Sequence, residues 1–103
     1  MATSLTNRKL TATTAEVAAY TVPANTSSVL IGANVSNKSA LNVYVTVKLG
    51  TFSIITNAPI PPGSSLSILD GKIVMIAGEA LTVQADVNSA ADIILSIAEE
   101  GVA

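Results

Sequence analysis

Leu41, Val43, Val45, Val47 and Leu49 alternate without a break with Asn42, Tyr44, Thr46 and Lys48. A period of two over nine residues is the pattern of a β-strand with one face in a core, and no helix places those five apolar side chains together. The same alternation sets Val29, Ile31, Ala33 and Val35 against Leu30, Gly32, Asn34 and Ser36, and Leu81, Val83 and Ala85 against Thr82, Gln84 and Asp86. Turn residues separate these runs at short intervals: Pro23-Ala24-Asn25-Thr26, Asn37-Lys38-Ser39, Leu49-Gly50, Pro61-Pro62-Gly63, Ala77-Gly78-Glu79 and Asn88-Ser89. Asp70-Gly71, between two apolar runs, predicts a tight hairpin, because a type I′ turn needs positive φ at both central residues.

The spacing predicts strands over 9–13, 16–22, 29–36, 41–48, 51–57, 64–69, 72–76, 80–86 and 91–98. Connections this short leave no room for crossover helices, so neighbouring strands should be antiparallel. The expected fold is all-β: a single antiparallel β-sandwich, Ig-like or jelly-roll-like, of eight or nine short strands over residues 9–103. Residues 1–8 read as an extended polar N-terminal arm. Composition agrees. Val, Ile and Thr number 32 of 103 residues, and such side chains pack better on a pleated sheet than on a helix. Residues 90–100 also fit an amphipathic helix, but the dense branched run Ile93-Ile94-Leu95 after the Asn88-Ser89 turn favours a strand.

The residues that are absent narrow the chemistry. The chain has no Cys and no His, so thiolate catalysis, a zinc knuckle and a Ser-His-Asp arrangement are excluded. Glu99-Glu100 reads as a solvated pair, and Asp86 and Asp92 flank a turn rather than a cleft. Neither pair suits acid–base work, and Asp70-Gly71 is too sparse for a Ca²⁺ loop. No phosphate-cradling loop is present. The chain is therefore expected to be non-enzymatic and to carry no metal or other cofactor. Five basic residues against seven acidic ones cannot form the basic face that nucleic acid requires. No apolar run approaches the length of a membrane span, and no secretory h-region opens the sequence. Three N-x-[ST] strings, at Asn25, Asn34 and Asn37, read as chance matches in a Ser/Thr-rich chain.

What remains is surface. Only 12% of residues are charged, and 50% are hydrophobic. Small domains have much surface to cover and normally need more charge to stay monomeric. Several runs are apolar on both faces: Phe52, Ile54, Ile55 and Ile60; Ile73 to Ile76; Ile93 to Leu95. Something should pack on their outer sides, so a homo-oligomer or a place in a larger assembly is expected. Tyr44, flanked by Asn42 and Thr46 on the outer face of its strand, is the leading candidate contact. Phe52, and Arg8 and Lys9 at the root of the arm, complete the set. The same Tyr face also suits a glycan or receptor contact.

Tyr20-Thr21-Val22-Pro23-Ala24-Asn25-Thr26 resembles the Y-T-V-P-A-x-T opening of small virion proteins of tailed bacteriophages. Pro59-Ile60-Pro61-Pro62-Gly63-Ser64-Ser65-Leu66 is similar to their Pro/Gly turn. Ala77-Gly78-Glu79-Ala80-Leu81-Thr82-Val83-Gln84-Ala85 is similar to their A-G-[DE]-x-L-x-V-x-A strand. The resemblance covers residues 16–98 and rests on turn and strand signatures. It implies a virion structural protein, first a capsid decoration (cement) protein that binds the major capsid protein as a homo-oligomer, by analogy a trimer, with the arm adding a strand to a neighbour. Head fibre, knob, tail or baseplate positions are the alternatives within the virion, and a host-surface binding module lies outside them. Pilus and surface-layer roles rank below these because no secretory signal is visible.

Overall fold

The computed structural model describes residues 3–69 and 71–101. Nine strands follow one another: β1 (Thr3–Thr11), β2 (Val17–Thr21), β3 (Thr26–Asn37), β4 (Val43–Leu49), β5 (Phe52–Ile60), β6 (Ser65–Ser67), β7 (Ile73–Met75), β8 (Ala80–Ala85) and β9 (Ala91–Gly101). All pairings are antiparallel. One sheet runs β1-β9-β3-β6, with β7 also on β3, and the other runs β2-β8-β4-β5.

β6 and β7 lie end to end along β3, against Asn34–Ser36 and Ser28–Leu30 respectively. They form one interrupted edge strand. Taken so, eight strands make two four-stranded sheets in jelly-roll order, the arrangement of two interlocked Greek keys. The all-β antiparallel sandwich expected from the alternation is what the chain adopts.

The core lies between the sheets. Val43, Val45 and Val47 from β4, Leu81 and Val83 from β8, and Ile93, Leu95 and Ile97 from β9 are all buried. Leu30, Val35 and Met75 close it from the remaining strands of the first sheet. Asn37 holds one corner. Its buried Nδ2 donates to Leu41 O (2.7 Å) and Ile60 O (2.8 Å), and its Oδ1 accepts from Ser39 N (2.8 Å) and Ser39 Oγ (2.7 Å). Among the described residues no buried side-chain polar atom lacks a partner.

Three expectations need correction. From Thr3 onward, the polar arm of residues 1–8 is part of β1, paired with β9 from Thr3↔Glu100 to Thr11↔Asp92; Met1 and Ala2 lie outside the described residues. Five of the six residues from Thr3 to Arg8 are exposed. No core face demanded apolar side chains there, so an edge strand carried an arm's composition.

The Asp70-Gly71 hairpin does not form, since β6 and β7 each pair with β3 and not with each other. Asp70 lies outside the described residues; Gly71, with φ of 117°, follows a stretch where Ile68 turns inward and its N–H donates to Ala33 O (3.1 Å). The two short runs are drawn onto one long neighbour.

In β3 the register shifts against β9 between Leu30 and Gly32. Ile31 is the extra residue and is exposed, so the buried positions are Ser28 and Leu30 before it and Ala33, Val35 and Asn37 after it. Val29 and Ile31 therefore do not share the face of Ala33 and Val35. A one-residue bulge reverses the phase of everything upstream.

Candidate functional site

The sequence placed Asn42, Tyr44 and Thr46 together on an outer face; the structure puts Tyr44 and Thr46 there, on β4. Val43, Val45 and Val47 point inward with no exposure, while Tyr44 is 42% exposed. Tyr44 and Thr46 line a shallow depression of ≈ 160 Å³ with Asn57, Gln84, Ala85 and Asp86. Asn42 is exposed just before β4 and is not part of this lining.

Asp86 serves the framework here. Its Oδ1 accepts from Tyr44 N (2.9 Å), and its own N–H donates to Tyr44 O (3.1 Å). Thr46 Oγ1 accepts from Asn57 N (3.0 Å), which supports the left-handed φ of 46° at Asn57. The depression is smaller than the ~300 Å³ at which small-molecule pockets begin. Phe52 sits at the other end of β4, on the hairpin that Gly50 turns with φ of 62°, and is 80% exposed.

Arg8 and Lys9 lie on opposite faces of β1, as a strand requires. The Arg8 guanidinium stands 5.4 Å from the centre of the Tyr20 ring, and its Nη1 donates to Asn7 O (3.0 Å). Tyr20 is buried. Its hydroxyl donates to Glu99 Oε2 at 2.6 Å and lies 2.6 Å from Ser28 Oγ. The phenol has one proton and gives it to the carboxylate, so Ser28 donates to Tyr20 Oη. Burial, then the bond to Glu99, pushes the Tyr20 hydroxyl above its ordinary value; Ser28 and Arg8 act the other way. Arg8, Tyr20, Ser28 and Glu99 thus tie β1, β2, β3 and β9 together at one end of the sandwich.

At the opposite end, Asp92 Oδ1 accepts from Thr11 Oγ1 (2.7 Å) and meets Lys38 Nζ at 3.1 Å. The Thr11 bond, then Lys38, holds the Asp92 carboxyl below its usual range. Among the described residues no group of three or more acidic side chains is placed to hold a metal ion.

The outer face of the first sheet is not apparent in the sequence. In the register of the ladders, Leu5, Ala98, Val29 and Val74 form one row across β1, β9, β3 and β7. Leu5 is 77% and Val74 66% exposed, and Ile31, Ile76 and Ile94 are also exposed. Two shallow hollows lie on this side. One, of ≈ 340 Å³, is lined by Leu5, Asn7, Ile31 and Ser96 among others; the second, of ≈ 320 Å³, includes Lys9, Lys38, Asp92 and Ile94. The doubly apolar runs point to Val74 and Ile94. Leu5 is hidden in the supposed arm, and the bulge puts Ile31 on the face opposite to the one its alternation suggests.

Among the described residues, fold and faces define a jelly-roll sandwich whose hollows are shallow and whose broad sheet surfaces and edges are open. No family model matches the chain, and no curated protein matches it in sequence. Among solved structures, a chain of the Bacillus endospore appendages, described as a novel family of disulfide-linked pili, matches with a TM-score of 0.59 and 11% identity. The match covers 99% of this chain and 88% of that one. At that identity the likeness is one of fold.

Proposed function

We propose that the protein is a non-enzymatic structural subunit of a larger assembly, in first place a capsid decoration protein on the outer surface of a tailed-bacteriophage head. The observation that carries the assembly role is the outer face of the first sheet, where the register draws Leu5, Ala98, Val29 and Val74 into one row and leaves Leu5 and Val74 largely exposed. Exposed apolar surface of this kind marks a docking site. The virion position rests on the sequence resemblance, and the jelly roll is a recurrent capsid architecture; that support is by analogy of fold. A second reading, a subunit of a pilus-like filament, is favoured by the fold of the spore-appendage chain. This chain has no cysteine, so a filament built from it would not be disulfide-linked.

Purified protein mixed with phage heads that lack it should co-sediment with them and raise the temperature at which they rupture. No binding to heads, with regular filaments of the purified chain under the electron microscope, would replace the first reading by the second.

A further inference from the structure

We infer that the outer edge of β1 is a strand-docking site, and that it takes an extended segment of another protein whose two adjacent carboxylates meet Arg8 and Lys9. This rests on the assembly reading and names the part of the partner that is engaged.

The two sheets have four edges: β1 and the interrupted β6–β7 strand in the first, β2 and β5 in the second. Three of these edges carry features that resist a further strand. β6 and β7 have 3 residues each. β2 has 5 residues, and its register shifts between Ala18 and Tyr20. β5 contains Pro59 and the left-handed Asn57, and its pairing with β4 shifts between Val45 and Val47 and again between Val47 and Lys48. Short strands, bulges and proline are the common means of closing an edge. β1 has none of them. Its 9 residues pair with β9 without a shift, and Leu5, Asn7, Arg8 and Lys9 are exposed.

The ladder also fixes which backbone groups face outward. Ala12 N–H donates to Ala91 O (2.8 Å), one step beyond Thr11↔Asp92. Bonded pairs alternate along an antiparallel ladder. The even-numbered residues of β1 therefore bond to β9, and Leu5, Asn7 and Lys9 turn N–H and C=O away from it. Asn7 O agrees, because the bond it accepts comes from the Arg8 side chain, Nη1 at 3.0 Å.

Charge selects the occupant. β1 carries Arg8 and Lys9 and no carboxylate. The nearest carboxylates lie one strand inward, on β9, and are engaged. Glu100 accepts from Thr3 Oγ1 (3.3 Å) and Glu99 from Tyr20 Oη (2.6 Å); Asp92 accepts from Thr11 Oγ1 (2.7 Å) and pairs with Lys38 (3.1 Å). Among the described residues Lys38–Asp92 is the one ion pair, so Arg8 and Lys9 have none there. A second β1 would bring the same two cations and no carboxylate, which argues against a copy of this chain. Two consecutive acidic residues on an incoming strand point to opposite faces, as Arg8 and Lys9 do, and opposite charges across a strand pair attract. An incoming N–H takes Asn7 O and releases the Arg8 guanidinium to the carboxylate. Main-chain bonds then supply affinity and the two ion pairs specificity.

The probe is a peptide of alternating Thr and Val, as long as β1, with Glu-Asp at its centre, titrated into the isotope-labelled full chain to roughly 1 mM, the weak end of useful affinities. In the nuclear magnetic resonance spectrum the amides of Leu5, Asn7 and Lys9 should shift and exchange more slowly. The same peptide with Lys-Lys at its centre should bind about tenfold more weakly or worse, and Arg8→Glu combined with Lys9→Glu should reverse that preference. Asn7→Pro removes an outward donor and no ladder bond, and proline is tolerated on the open side of an edge strand. Circular dichroism should show it folded, and it should lose the peptide; if it does not fold, the charge reversal decides alone. No shift in β1, shifts confined to other strands, or equal binding of the two peptides overturns the inference. Self-association of the chain that Asn7→Pro abolishes overturns it in favour of a second copy. Phage heads that bind wild type and Asn7→Pro alike overturn the edge while leaving the assembly reading standing.

Discussion

Val45 and Thr46 are neighbours with opposite fates. Val45 is fully buried and Thr46 lies on the outer face. Val45→Asp buries a carboxylate with no partner and should cost more than about 4 kcal/mol, a large share of the ~5–15 kcal/mol that holds a domain together. Thr46→Asp should leave the thermal midpoint within a few degrees of wild type. Alternation alone makes this pair legible. Tyr20 is not legible in the same way, because nothing in a sequence shows that residues 8, 20, 28 and 99 converge. Tyr20→Phe removes two 2.6 Å contacts and strands Ser28 and Glu99, at a cost of about 1–3 kcal/mol. Its pH signature follows from the raised folded-state pKa. The proton that Tyr20 holds in the fold stabilises fully below the unfolded value of ~10, and that stability is lost as pH rises through the folded value. Wild type should therefore lose stability on the alkaline side more steeply than Tyr20→Phe does, as read by denaturant titration between about pH 9 and 11. Asp92 acts in the opposite sense: its depressed pKa stabilises above the ordinary Asp range and is lost as pH falls through the folded value. At 43% exposure solvent screening makes that contribution small.

Among the elements, β4, β8 and β9 are readable because each keeps one phase from end to end. β3 is not, because periodicity reports which residues alternate and is silent on where the phase breaks. The break has a test. Leu30 pairs with Ile97 and Gly32 with Ser96, leaving Ile31 as the surplus residue. Deleting Ile31 should join two segments already in register, so the variant should fold with a circular dichroism spectrum like that of wild type. Deleting Ala33 instead takes a buried residue and displaces part of the strand by one position, and it should prevent folding. The Asp70-Gly71 region misleads for a related reason. Turn chemistry marks where a chain bends, and whether the next run returns beside the last is decided by the partner strand. The first part of β1 is hidden because an exposed edge strand needs no apolar face, so its residues carry no alternation to read.

At the scale of the whole molecule, nine strands in two sheets and the absence of a His- or Cys-based site are open to view in composition and spacing. Strand order is not. Alternation says that a strand has a core face and leaves open which strand lies beside it, so only the pairings separate an Ig-like order from a jelly roll. The surface follows the same division. Low charge and doubly apolar runs imply that something covers the sandwich, but only the cross-strand register assembles Leu5, Val29, Val74 and Ala98 into one row. The central claim, that this is a subunit built to associate through that face, is tested most directly by the mass of the purified protein in solution, measured by light scattering across a dilution series. An oligomer that dissociates on dilution toward the 10.4 kDa chain, and that Val74→Lys holds as a monomer, is the expected result. A 10.4 kDa species at every concentration, unchanged by Val74→Lys, would contradict it.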